Sequence, residues 1–171
     1  MKAAVLHQLG ETPCCEDFPA PVPGEGEVLV QVRAAAIHPS TRAVAAGSHY
    51  ARPRALPAGC GLDGVGVLPD GTRVFFGGPR APHGSMAERA VVARARCWPV
   101  PAGVDDATAA ALPNPAMSSW LPLVFRAKLL PGETVLVLGA TGTAGRLAVR
   151  IAKLLGAERV IAAGRSRRWA G

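Results

Sequence analysis

The sequence predicts a mixed α/β protein, a compact β-barrel of short strands followed by the opening of a nucleotide-binding βαβ unit. Three observations carry this reading. Residues 1 to 100 break into short apolar stretches punctuated by glycine and proline, and the texture turns alanine-rich and helix-prone from Asp105. The third is the stretch "TVLVLGATGTAGRLAVRIAKLLGAERVIAAGR" at 134–165, which reads as strand, glycine turn, helix and second strand.

Along the first hundred residues, "EVLVQVRAAAI" (27–37) places Val28, Val30 and Val32 on one face of a strand. "GVGVL", "TRVFF" and "AERAVV" follow as further strands, separated by "PDG" and "GGPRAPHG". A GxGxxG string at Gly59, Gly61 and Gly64 has Pro57 before it and strand-and-turn residues after it. A phosphate site needs a strand before its glycines and a helix behind them, so this string is expected to be a structural bend. The segment "DDATAAALPNPAMSSWLPLVFRAKLL" is helix-prone but interrupted at Pro113, Pro115 and Pro122, which sets a domain boundary near Ala116, with domains at 1–116 and 117–171.

The second glycine turn has the required context. It runs Gly139, Ala140, Thr141, Gly142, Thr143, Ala144, Gly145, behind the buried-strand run "TVLVL". Leu147, Ile151, Leu154 and Leu155 then form the apolar face of a helix stopped at Gly156. Glycines here let backbone approach a pyrophosphate, and the free amides of a helix N-terminus stabilise its charge. At the end of the second strand, where NAD sites carry an acidic residue, stand Gly164 and Arg165, with Arg167 and Arg168 beyond. Guanidinium pairs with a 2′-phosphate that a carboxylate would repel, so the expected cofactor is NADPH.

Composition narrows the remaining classes. The chain is 49% hydrophobic over 171 residues, enough for one substantial core or two small ones and too apolar for disorder. No apolar run approaches the roughly 18 to 20 residues of a membrane span, and His7, Gln8 and Glu11 interrupt any signal core near the start, so a cytoplasmic protein without membrane partners is expected. Cys14, Cys15, Cys60 and Cys97 show neither CxxC nor metal-ligand spacing and are expected as reduced thiols. The charge of +7 is scattered arginine with few aromatics, which argues against nucleic-acid binding.

The strings "MKAAVLHQLG", "GEGEVLVQVRAAAIHPST", "GCGLDGVGVLPDGTRVFF", "HGSMAERAVV", "ATAAALPNPAMSSW" and "LLPGETVLVLGATGTAG" follow one another in the order of the medium-chain dehydrogenase/reductase superfamily. The chain resembles its zinc-free quinone oxidoreductase-like branch. The resemblance implies a GroES-like barrel followed by a Rossmann domain, and an NADPH-dependent reductase of quinones, enones or aldehydes, small carbonyl or quinone substrates held in the cleft between the domains. A homodimer is expected of the full-length form. Zinc relatives carry a cysteine and a histidine where this chain has "IHPST" and Gly61 to Asp63, so no metal is expected and His38 is read as a hydrogen-bonded loop residue.

Without zinc, a hydrogen-bond donor must meet the developing oxyanion. The resemblance implies Tyr50 as that donor, with His38 and Thr41 in the same loop and Asn114 and Ser118 lining the cleft. Family members run about twice as long, so "SRRWAG" reads as a tail cut through the Rossmann domain, leaving its first βαβ unit and a chain expected to be inactive by itself. Two other readings stay open: a nucleotide-sensing or interaction module that lost catalysis, and a zinc-dependent alcohol dehydrogenase-like protein. A short-chain dehydrogenase would carry the glycine turn near its N-terminus, not behind about 130 residues of strands.

Overall fold

In the computed structural model, which describes residues 1–165, the chain forms two units, Met1–Ala111 and Leu112–Gly171. The valine alternation from Glu27 builds the centre of the first. Strand β3 (Glu27–Ala35) lies inside a five-stranded antiparallel sheet, flanked by β5 (Asp63–Val67) and β7 (Arg89–Ala93), while β6 (Arg73–Gly77) and β8 (Cys97–Pro99) extend it beyond β5. Val30 is fully buried with Leu68, Val74, Phe76, Ala90 and Val92, and Val28 and Val32 pack against the same cluster. The other sheet face buries Val65 and Ala36 against Ala109 and Ala110 of helix α2 (Asp106–Ala111). Strand β5 is therefore covered on both sides. Its "GVGV" alternation follows from this: a Cβ on Gly64 would lie 2.6 Å from the Ala34 carbonyl of β3 and 3.2 Å from the Phe76 ring.

A second sheet, in order β2-β1-β4, comprises β1 (Lys2–Leu6), β2 (Cys14–Asp17) and the short β4 (Ala58–Gly59), with Ala3, Val5 and Phe18 beneath it. Residues 86–88 stitch the two sheets together. The Ala4 amide donates to the Met86 carbonyl at 2.8 Å, Glu88 donates to Lys2 at 3.0 Å, and Val32 donates to Glu88 at 3.0 Å. The result is a curled antiparallel half-barrel, the architecture that the short strands and tight turns predict. Helix α1 (Pro39–Ala45) leaves the end of β3, with His38 as its N-cap and Pro39 at its first position, where the missing amide costs nothing.

The second unit begins with α3 (Pro113–Leu121), so Ala116, the expected boundary, falls inside this helix. Pro113 starts it and Pro122 opens a π-helical turn to Arg126, closed by the Ala127 amide on the Pro122 carbonyl at 2.8 Å. Strand β9 (Thr134–Leu138) and β10 (Arg159–Ala163) pair in parallel, Thr134 opposite Arg159 and Leu138 opposite Ala163, and α4 (Thr143–Leu154) makes the crossover. Ile151 and Ala152 are the buried residues of α4, with Leu147 and Leu155 half-buried. Leu154 is 74% exposed and does not belong to the apolar face predicted for it. Val137 of β9 is buried, but Leu136 and Leu138 on the alternate face are 58% and 77% exposed. The all-apolar "TVLVL" is a strand built for burial on both faces that is covered here on one. Among the described residues, no helix is long and apolar enough to cross a membrane.

Candidate functional site

The three glycines of the turn after β9 do different work. Gly139 has φ +75°, the left-handed conformation that favours glycine, and it ends the strand. A Cβ on Gly145 would lie 2.7 Å from Ala140 Cα, with the Gly139 carbonyl nearer still, so only glycine lets the first turn of α4 pack on the end of β9. Gly142 is the N-cap of α4, with φ −80° and ψ 166°, a conformation open to any residue. A Cβ there would meet only the Gly139 carbonyl, at 3.6 Å, and otherwise open space. Two glycines hold the turn together and the third leaves room above it.

The turn adjoins the end of β10. The Ala140 amide donates to the Ala163 carbonyl at 2.9 Å, and a Cβ on Gly164 would fall 2.6 Å from the Thr141 side chain. The first amides of α4, at Thr143, Ala144 and Gly145, have no acceptor within the helix, which starts its ladder with Arg146 donating to Gly142 at 2.9 Å. Exposed Arg165 follows directly on Gly164, whereas Arg167 and Arg168 lie outside the described residues. Sequence reasoning missed Arg146, whose Nε donates to the Thr141 carbonyl at 3.2 Å. It stands in the first turns of α4, where a cation opposes the helix macrodipole and an anion would offset it.

In the first unit, His38 and Thr41 come together: the His38 amide donates to Thr41 Oγ1 at 3.3 Å, and both residues are buried. His38 Nε2 lies 3.3 Å from Asp63 Oδ1 at the start of β5, with His38 8% and Asp63 5% exposed. The sequence reads His38 as a hydrogen-bonded loop residue beside the cleft and Asp63 only as part of the string that stands where a zinc ligand is lacking. The fold joins them as a buried imidazole–carboxylate pair. Among the described residues there is no group of three or more His, Cys, Asp or Glu that could hold a metal.

Tyr50 is 95% exposed, its ring beside that of His49 with centroids 4.2 Å apart. With Thr41 and Cys60 it lines a cavity of about 690 Å³ lying wholly within this unit. Burial pushes the Cys60 thiol up from its ordinary pKa, so it stays protonated at neutral pH.

Asn114 and Ser118 belong to the second unit, both on α3. The Ser118 hydroxyl donates to the Asn114 carbonyl one turn back at 3.2 Å. Its neighbour Ser119 is the buried one, and its hydroxyl reaches the Ala144 carbonyl in the first turn of α4 at 2.7 Å. Nothing in "MSSW" distinguishes the two serines, because the difference comes from which side of α3 meets α4.

No family model matches the chain. The quinone oxidoreductase of Lama guanicoe is 33% identical to it over 147 residues, covering 80% of this chain and 44% of that protein. A probable NADPH-dependent quinone reductase of Emericella nidulans is 31% identical over 166 residues, again 80% of this chain and 44% of that protein. The chain thus spans less than half the length of these curated relatives. In structure, the quinone oxidoreductase of Thermus thermophilus, solved with and without NADPH, matches with a TM-score of 0.87 at 35% identity, covering 98% of this chain and 54% of that one.

Proposed function

Because the chain belongs to the quinone oxidoreductase-like branch of the medium-chain dehydrogenase/reductase superfamily and matches an N-terminal portion of its members, we propose that it supplies the substrate-side domain and the pyrophosphate-binding turn of an NADPH-dependent reductase of quinones, enones or aldehydes. The observation that carries this reading is the division of labour among Gly139, Gly142 and Gly145, which leaves open space over the free amides of α4. Thr141 to Gly145 would cradle the pyrophosphate. Arg165 would pair with the 2′-phosphate, and Arg146 would add positive charge beside the turn. NADPH bound there supplies a hydride to the acceptor. The chain's own part is to hold the cofactor, to enclose the acceptor and to place a hydrogen-bond donor, Tyr50 by this reading with His38 and Thr41 behind it, where negative charge develops on oxygen.

Cofactor choice tests the reading. In a polypeptide carrying the further sheet strands, Arg165→Glu should weaken NADPH binding by about 1.5 to 3 kcal/mol and NADH binding far less. Fluorescence titration with both cofactors checks it, and equal losses would remove Arg165 from the 2′-phosphate.

The 171 residues by themselves should bind NADPH weakly and oxidise none with quinone or enone acceptors. A Rossmann ligand sits in a crevice between two halves of a parallel sheet, and β9 and β10 provide one wall of it. Adding the further strands should restore turnover. Turnover by the 171-residue chain at the rate of the longer polypeptide would show that the site is whole without them. Binding without turnover in the longer polypeptide would instead favour a nucleotide-sensing module.

A further inference from the structure

The cavity of the first unit has apolar walls and a basic mouth. Leu6, Val44, Ala45 and Ala58 line its buried and half-buried part, and loop residues 50–55, all exposed except Pro53, line its solvent side. Among the described residues, its only fully charged lining groups are Arg52 and Arg54, both exposed on that loop, and no carboxylate lines it. Arg52 Nη1 donates to the Gly47 carbonyl at 3.4 Å, a long bond. Neither guanidinium forms an ion pair among the described residues, whereas Arg73, Arg80 and Arg94 each have an acidic partner. Two uncompensated cations beside a low-dielectric concavity focus a positive field into it and raise the local concentration of anions.

We propose that this cavity selects acceptors that carry a carboxylate, with Arg52 and Arg54 as the residues that determine the preference. This rests on the reading of the first unit as the substrate side of a reductase. An aromatic or aliphatic enone or quinone fills the apolar interior, and its carboxylate lies against the guanidinium groups, which hold planar oxyanions through paired N–H donors. Cys60 in the wall fits such an occupant, because a thiol kept protonated by burial does not add to the electrophilic acceptor it contacts. Pro53 between the two arginines removes backbone freedom from the loop, which lessens the ordering cost of engaging the anion.

A matched pair of probes tests this on the chain as it stands, without cofactor, since every lining residue lies in the first unit. Benzalacetone and its 4-carboxy derivative differ by one carboxylate. Titration followed by amide NMR shifts at Tyr50, Arg54 and Ala58 should show the acid binding about tenfold more tightly than the neutral ketone. Arg52→Gln with Arg54→Gln should remove that advantage and leave benzalacetone unchanged, and raising salt from about 50 to 500 mM should shrink it in the parent chain. Equal affinity for the two probes, an acid preference that survives the double substitution, or shifts that map elsewhere would overturn the proposal. In the longer polypeptide with NADPH, reduction of both probes with equal kcat/KM would sink the charge preference alone. Reduction of neither probe, nor of any quinone or aldehyde tried, would sink the reductase reading itself.

Discussion

Gly145→Val should unfold the second unit, while Gly142→Val should leave it folded and abolish tight cofactor binding. At position 145 a side chain would collide with the Gly139–Ala140 backbone, at the Gly139 carbonyl and at Ala140 Cα, and neither can give without lifting α4 off β9. Forced overpacking of this kind costs about 3 kcal/mol, a large share of what a two-stranded unit can hold. At position 142 the backbone is extended and the nearest atom is 3.6 Å from a new Cβ, so valine costs little beyond a poorer helix cap, about 1 kcal/mol. Its methyl groups would fill the space that a pyrophosphate needs, and NADPH and NADH affinity should both fall by about tenfold or more. Thermal melting by circular dichroism, alongside cofactor titration of the longer polypeptide, separates the outcomes. The assignment fails if Gly142→Val binds both cofactors normally.

His38→Ala should be among the most damaging substitutions in the first unit, although the residue is neither large nor apolar. It takes the imidazole away from a carboxylate that is 5% exposed and 3.3 Å distant. Removing one partner of a buried polar contact costs about 1 to 3 kcal/mol, because the group left behind stays desolvated. Asp63→Asn in the same background should recover part of the loss, so the two substitutions should fall well short of additivity in a urea-denaturation cycle. Additive effects, or a loss below about 1 kcal/mol for His38→Ala, would mean that the pair is incidental. A structural partner of this kind gives His38 a fixed orientation, which any role for it beside Tyr50 and Thr41 requires.

Elements that advertise their environment were legible in the sequence. β3 shows alternating valines because one face meets a core, and the stretch from β9 to β10 shows a glycine turn between an apolar strand and an amphipathic helix. β1, β2 and β8 were not legible. "KAAVL", "CCED" and "CWP" are strands because of distant partners, Lys2 against Asp17 and Phe76 against Cys97, and no local pattern encodes those pairings. The short α1 lacks an apolar stripe and forms where His38 and Pro39 end a strand. In the candidate site, the glycine turn between β9 and α4 was readable from spacing and context. The His38–Asp63 pair was not, because it depends on β3 and β5 pairing, with Ala35 opposite Gly64. Arg52 and Arg54 count only toward net charge in the sequence, since the cavity mouth beside them exists only once the first unit has folded.

The bare face of β9 also bears on how such a chain is made. Leu136, Leu138 and Ile161 are all exposed, and burying each would return about 1.5 to 3 kcal/mol to whatever element docks there. In a polypeptide of the relatives' length, these strands leave the ribosome with roughly half the chain still to come. At about 5 to 20 residues per second, the leucines wait on the order of ten seconds for a covering segment. That interval is long compared with hydrophobic collapse, so this short parallel pair is where a nascent chain is open to chaperone capture or to the wrong neighbour.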